Sequence, residues 1–319
     1  MKLGNKSFLS LYDLSKDEID RLIDLSIELK AEKKNGIYKY RLKNKNIALL
    51  FEKTSTRTRC AASVACFDEG GHAEFLGKND IQMGKKESVR DTARVLGKIF
   101  DSIIYRGYKQ ETVKILSEYS GIPVINGLTD EEHPTQIIAD LMTIKEKFNK
   151  LEGLKVCYIG DARNNVACSL IVGCLKMNVD IFVAAPKSLW PSDSFIVSAK
   201  LLSKKAGLYL TEDPLEAVKN SNVVYTDVWV SMGEENAPDI DERIKLLKNY
   251  QVNKFVMDQT GLADSIFLHC LPASHEEESH YLEVSEEVFE SKQSYVFEQA
   301  GNRLHTIKAL LVTLLGGKV

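Results

Sequence analysis

Behind Ser15, apolar residues recur at Ile19, Leu22, Ile23, Ile27 and Leu29, a spacing that predicts a capped helix over 15–34. From there short apolar runs alternate with helical patterns. "NIALLF" (46–51) reads as a strand and is followed by a helical pattern through Cys66. "AEFL" (73–76) precedes a polar stretch and a helix over 88–100; "SIIY" (102–105) precedes a helix near 110–119; "IPVIN" (122–126) follows. Residues 135–149 form a longer helical segment. A second series has strands at "LKVCYIG" (154–160), "DIFVAA" (180–185), "NVVYTDVW" (222–229) and "SIFLHC" (265–270). The segment 300–316 sets Leu304, Ile307, Leu311 and Leu314 on one helical face, which predicts a packed helix. Strand–helix alternation predicts parallel sheets with helices on both faces. The fold class is therefore α/β, with two parallel-sheet domains joined near 133–150.

Composition changes this picture little. The chain has 319 residues, enough for about two domains and a large core without staples. Its net charge of −3 offers no global basic field, so nucleic acid is not an expected partner. The six cysteines include no C-x-x-C pair and no zinc-finger spacing, so they read as reduced and mostly buried thiols. The start of the chain is too polar for a secretory signal, and no apolar run approaches the roughly 20 residues that span a bilayer. The expected location is cytoplasmic, with no membrane partner.

In open α/β sheets ligands bind beyond the carboxyl ends of the strands. Here those ends carry "EKTSTRT", "RGY", "GLTDEEHPTQ", "GDARNN", "DVWVSMGEE" and "HCLPASH". Polar loops are common, but six such segments gathering arginine, hydroxyl, histidine and amide groups point to chemistry. At 55–59 a strand turns into a helix whose first amides lack intrahelical acceptors, an arrangement suited to an anion. Ser55, Thr56 and Thr58 add hydroxyls, and Arg57 adds a planar fork for phosphate oxygens. The plainer alternative is an N-cap with surface arginines. Neither G-x-x-x-x-G-K-[ST] nor G-x-G-x-x-G is present. A lone histidine is usually structural, but His133 sits beside Thr135 and Gln136 and in line with Arg106, where donors can meet a carbonyl oxygen.

"STRTR", "HPTQ" and "HCLP" together resemble the aspartate/ornithine carbamoyltransferase family, and "DARNN", "DVWVSMGE" and "HCLPA" resemble its ornithine branch. "KESVRDTARVLG", "IIYRGY" and "NRLHTIKALL" extend the likeness over nearly the whole chain. The resemblance implies a carbamoyl-phosphate domain over 1–133, completed by a C-terminal helix at 301–319 that packs back on it. It implies an interdomain helix over 134–150, an ornithine domain over 151–300, and an active site in the cleft between the domains. Carbamoyl phosphate would be held by Ser55, Thr56, Arg57, Thr58 and Arg106, with His133 and Gln136 on the carbamoyl group. Gln82 would reach phosphate across a subunit interface; Cys270, the Leu271 carbonyl and Arg303 would hold the carbamoyl amide. L-Ornithine would meet Asn165, Asp227, Ser231 and Met232, with Asp227 and Cys270 orienting its δ-amine.

The implied reaction is attack of the neutral δ-amine on the carbamoyl carbon, giving L-citrulline and phosphate, with Arg57, Arg106, His133, Asp227 and Cys270 as catalytic residues. It needs no metal, no organic cofactor and no covalent enzyme intermediate. The resemblance also implies a homo-oligomer, a trimer or an assembly of trimers, and a mobile loop at 231–235 hinged near Gly233. Ser274 departs from the aromatic residue common in the family at that position. An aspartate enzyme would show "HPLP" and extra cations; a putrescine enzyme would lack "SMG"; a non-catalytic subunit would show a broken constellation. The same residues serve citrulline synthesis and its reversal. The working expectation is arginine metabolism and amino-acid biosynthesis.

Overall fold

A computed structural model of the chain describes residues 7–84, 86–230, 238–275 and 282–316. The chain forms two compact units, residues 1–142 with 301–319, and residues 143–300. The first contains α1 (Lys16–Lys34), β1 (Asn46–Phe51), α2 (Thr56–Asp68), β2 (His72–Gly77), α3 (Val89–Ile99), β3 (Ser102–Arg106), α4 (Gln110–Ser120) and β4 (Val124–Leu128). Helix α5 (Pro134–Phe148) leads on in sequence. The second unit contains β5 (Lys155–Ile159), α6 (Asn165–Lys176), β6 (Asp180–Ala184), α7 (Asp193–Lys200), β7 (Leu208–Thr211), α8 (Pro214–Val218) and β8 (Val223–Thr226). It continues with α9 (Ile240–Leu247), α10 (Lys254–Asp258), β9 (Ile266–His269) and α11 (Glu286–Phe289). Helix α12 (Val296–Leu315) returns the chain to the first unit.

Each unit is built on one parallel sheet, with strand orders β2-β1-β3-β4 and β7-β6-β5-β8-β9. The apolar runs behave as parallel strands require: Ile47–Phe51, Ile103–Tyr105, Val156–Ile159 and Val223–Tyr225 are all buried. In each order the winding reverses once, between β1 and β3 and between β5 and β8, and such reversals open a crevice at the strands' carboxyl ends. Phe51 pairs with Arg106, and Arg106 with Leu128, so β1, β3 and β4 end level.

Local signals account for the helix ends. Ser15 and Glu18 close a reciprocal capping box on α1, and Ser55, Ser88 and Asn164 each cap a helix by accepting an amide of its first turn. The C-terminal helix is buried nearly all round, and it joins the first unit through bonds to α1 and α2. Three features differ from the sequence pattern. The second sheet has a fifth strand, β7, at its edge; its residues Leu208 and Tyr209 alternate between buried and exposed over only four positions. Strand β8 stops at Thr226, three residues short of the run "NVVYTDVW". Cys60 is exposed on the outer side of α2, although the other five cysteines are buried or half-buried as expected, and all six are free thiols.

Helices α3 and α4 approach so closely at Gly97 that a Cβ there would stand 1.8 Å from the carbonyl oxygen of Ser120. That neighbour is backbone and cannot swing aside. Gly97→Ala is expected to destabilise the protein by about 2–3 kcal/mol, near the upper end for overpacking. The check is a denaturation midpoint; an unchanged one would show that the two helices separate freely.

Candidate active site

In the first unit the site begins where β1 runs into α2. Ser55 adopts an extended backbone and its Oγ accepts the Thr58 amide at 3.1 Å. The turn therefore takes one of its own first-turn amides, and the helix N-terminus presents the remaining positive end of its dipole. Thr56 is exposed, Arg57 half-buried and Thr58 buried. One strand over, Arg106 closes β3; its Nε donates to the Thr54 carbonyl at 3.3 Å. That bond ties the two strand ends together.

The segment after β4 supplies His133, Thr135 and Gln136. Gln136 Nε2 donates to Asp140 Oδ1 at 2.8 Å one helical turn on, which fixes the amide so that its oxygen faces the other way. That oxygen accepts from Arg303 Nη1. Arg303 Nη2 also donates to Thr58 Oγ1 at 3.0 Å and to Thr135 Oγ1 at 3.5 Å. A guanidinium only 2 % exposed thus joins α2, α5 and α12. His133 is 5 % exposed. Burial, with the Arg303, Arg106 and Arg57 cations adding to it, holds its imidazole well below the ordinary histidine range. At neutral pH it is an uncharged ring among three fixed cations, and it can offer a single N–H to an oxygen.

In the second unit Asn165 opens α6 behind β5, Asp227 follows β8, and Cys270 and Leu271 follow β9. The Cys270 thiol donates to Asp227 Oδ1 at 2.9 Å, and the Val228 amide donates to the same oxygen at 2.9 Å. Asp227 is 6 % exposed. Burial raises its pKa above the usual carboxylate range, more than the proximity of His269 and the thiol bond lower it. Leu271 has φ of +60°, a conformation that leucine rarely adopts, and the turn is held from behind. His269 Nδ1 accepts the Leu271 amide at 2.9 Å, so the ring proton lies on Nε2, 3.1 Å from Glu283 Oε1. The same Glu283 oxygen accepts the Ser274 amide at 2.9 Å. Burial pushes Glu283 up, but the bonds from His269 and Ser274 outweigh it and hold the carboxyl low.

Asp227, His269 and Cys270 place one potential metal-ligand atom each within 4.8 Å of one another. Both imidazole nitrogens are already engaged, so a metal there would displace the bond that holds Leu271. The donors fit a hydrogen-bonded turn better than a metal centre.

The structure thus gathers Ser55, Thr58, Arg57, Arg106, His133, Gln136 and Arg303 in one unit, and Asp227 with Cys270 in the other. Gln82 is exposed, and its carbonyl accepts the amides of Lys86 and Glu87 within its own turn. Ser231, Met232 and the loop 231–235 lie outside the described residues. Sequence reading missed Asp140, Glu283 and the supporting role of His269. Asp140 had a signal, standing four residues after Gln136 on a helix; Glu283 had none, since it acts fourteen residues from its partner.

Residues 6–146 match the family described as aspartate/ornithine carbamoyltransferase, carbamoyl-P binding domain, and residues 152–314 match its Asp/Orn binding domain. A protein of Bacillus cereus named catabolic ornithine carbamoyltransferase is 52% identical, over 98% of this chain and 97% of that one. One of Staphylococcus aureus with the same name is 51% identical over 98% and 97%. The solved ornithine carbamoyltransferase of Pyrococcus furiosus superposes with a TM-score of 0.93 at 39% identity, over 100% of both chains.

Proposed function

The chain belongs to the aspartate/ornithine carbamoyltransferase family, and on that premise we propose how its two sets of site residues divide the work. The reaction is transfer of the carbamoyl group between carbamoyl phosphate and the δ-amine of L-ornithine, with L-citrulline and phosphate as the other pair. In our reading Ser55, Thr56, Arg57, Thr58 and Arg106 hold the phosphate. His133, Gln136 and Arg303 hold the carbamoyl group, together with the backbone carbonyl of Leu271. Gln82 adds a phosphate contact from a neighbouring subunit. Asn165, Ser231 and Met232 bind the amino-acid end of ornithine, and Asp227 with Cys270 orients its δ-amine.

The observation that carries this reading is the buried Arg303, which joins Thr58, Thr135 and Gln136 beside a buried His133 that the Arg303, Arg106 and Arg57 cations help keep uncharged. As the amine attacks, the carbonyl oxygen gains negative charge, and in this reading these donors stabilise it. An imidazole that stays uncharged can donate its N–H without giving up a proton. Phosphate leaves and accepts the amine proton. Asp227, made more basic by burial, is a second acceptor for it. The sulfur of Cys270 forms no covalent bond in this scheme; its thiol donates to Asp227 and helps orient the amine.

The names of the Bacillus and Staphylococcus relatives weigh against the biosynthetic expectation. We place the chain instead on the catabolic side, forming carbamoyl phosphate from citrulline and phosphate. A homo-oligomer, a trimer or an assembly of trimers, belongs to the same proposal. Its support is the exposed apolar Val64 and Phe67 on α2 and Val95 and Ile99 on α3. A monomer in sedimentation at assay concentration would remove that support. None of the described helices is long and apolar enough to cross a membrane.

The test is a steady-state comparison of ornithine, putrescine and aspartate as acceptors, run from pH 6 to 8. Ornithine should lead putrescine in kcat/KM by about 100-fold or more, since a site built for an α-carboxylate leaves donors unpaired without it. Its kcat/KM should climb with pH, because an alkyl amine with a pKa of about 10.4 gains neutral form up to tenfold per unit. Equal use of putrescine, or a flat profile, would overturn the assignment of acceptor and nucleophile.

A further inference from the structure

Helix α2 carries site residues only in its first turn, yet its far end is also bonded to the helix that bears Arg303. Its last residue, Asp68, is 4 % exposed, and Lys308 of α12 is 2 % exposed; Lys308 Nζ lies 2.6 Å from Asp68 Oδ2. Lys33 of α1 donates to the same carboxylate at 2.8 and 2.7 Å. An anion at a helix C-terminus faces the unfavourable end of the dipole, and burial adds to the cost. Burial alone would raise the Asp68 pKa, but the bonds from Lys308 and Lys33 hold it low. Stability is poorly served by such a pair, since apolar residues of similar size usually do as well or better. A geometric role is the stronger explanation.

The geometry supplies one. Arg303 and Lys308 are five residues apart on α12, so at 100° per residue they project about 140° apart around its axis. One reaches Thr58 at the start of α2, and the other reaches Asp68 at its end. The same stretch of α12 is tied to α1, where Lys30 Nζ donates to Asn302 Oδ1 at 2.8 Å. The Thr306 hydroxyl donates to the Arg303 carbonyl at 3.3 Å. With both ends of α2 held by one helix, α12 can neither slide nor turn without breaking a buried contact.

We propose that Lys308, through its ion pair with Asp68, is a positioning residue for Arg303: the pair sets how far the guanidinium reaches toward Thr58 and Gln136. This rests on the reading of Arg303 as a carbamoyl ligand. Lys308 itself touches no substrate. Its removal lets α12 shift against α2, and the guanidinium moves with it.

The experiment is a double-mutant cycle between Lys308→Met and Arg303→Gln, with Lys308→Arg as the rescue variant. Thermal midpoints and KM values for both substrates are measured throughout. Lys308→Met should weaken kcat/KM for carbamoyl phosphate by about 10- to 100-fold, the scale of a misplacement near 1 Å. Its KM for ornithine should change little, and Lys308→Arg should restore most of the loss. In the Arg303→Gln background Lys308→Met should add no further loss. If Lys308→Met does not fold, the paired variant Asp68→Asn/Lys308→Met removes both charges and should show the same defect. A lowered thermal midpoint with unchanged carbamoyl-phosphate kinetics overturns the proposal, as does a loss that multiplies fully with that of Arg303→Gln. An Arg303→Gln enzyme with unchanged kinetics instead overturns the ligand role of Arg303, a separate failure visible in the single variant.

Discussion

Replacing Arg57 with glutamine is expected to lower kcat by about 100- to 1000-fold, the usual cost of removing one preorganised donor. Glutamine keeps a good helix former at the second position of α2 and can still donate one bond, so the change isolates the charge and the fork. The same substitution should not lower stability. Arg303, Arg106 and Arg57 all act electrostatically on the one buried His133 ring, and removing one of the three like charges lessens their mutual repulsion. The variant should therefore melt at or above the parent temperature without ligand, and gain less from added phosphate. Turnover within threefold of the parent in a folded Arg57→Gln protein would rule out the phosphate cradle at 55–58.

Asp227→Asn is the second large effect. The substitution keeps the shape of a side chain that accepts from both Cys270 and Val228, but removes the charge beside the amine. Truncating one partner of a buried, hydrogen-bonded charge costs about 2–5 kcal/mol, so kcat/KM for ornithine should fall by roughly 30- to several thousand-fold. Binding of carbamoyl phosphate, read by equilibrium titration, should be unaffected. Stability should move the other way as pH rises above the ordinary aspartate value. The folded-state pKa of Asp227 is raised, so the carboxyl favours folding below its unfolded value and that advantage is lost as pH rises through the folded one. Asparagine carries no such loss. Melting curves at pH 4 and 8 should show the variant gaining on the parent at the higher pH. An ornithine kcat/KM within fivefold of the parent would remove Asp227 from the reaction.

Much of this architecture is legible in short apolar runs, because parallel strands are buried on both faces and need no alternation. "NIALLF" coincides with β1 from Asn46 to Phe51. The edge strand β7 was not legible, since four residues of mixed burial look like a loop. β8 was read too long for a chemical reason. "NVVYTDVW" is mostly apolar, but the Thr226 hydroxyl donates to the Ile159 carbonyl and Asp227 accepts its own neighbour's amide, so the chain turns there. At the site, the hydroxyls and arginines near 55–58 announced themselves by composition. Arg303 entered by resemblance alone, because its contact with Thr58 spans 245 residues and no local pattern encodes it. Asp68 and Lys308 lie 240 residues apart and gave no warning for the same reason. Cys60, an exposed thiol, means that alkylation studies of Cys270 need a Cys60→Ser background.

Because the first unit takes in residues 301–319, its assembly follows the order of synthesis. A ribosome finishes residues 1–142 early, and most domains begin to fold as they emerge. Here Asp68 would wait with only Lys33 for company, and Thr58 and Gln136 without their guanidinium, until the whole second unit had been made. Until then the nascent first unit is expected to leave exposed the apolar surface that Ile307, Leu310 and Leu311 cover in the finished protein. Truncated chains that stop near residue 300 keep every hydroxyl at 55–58 and still lack a finished first unit. Such chains are expected to show no carbamoyl transfer, because they lack Arg303 and the helix that completes the first unit.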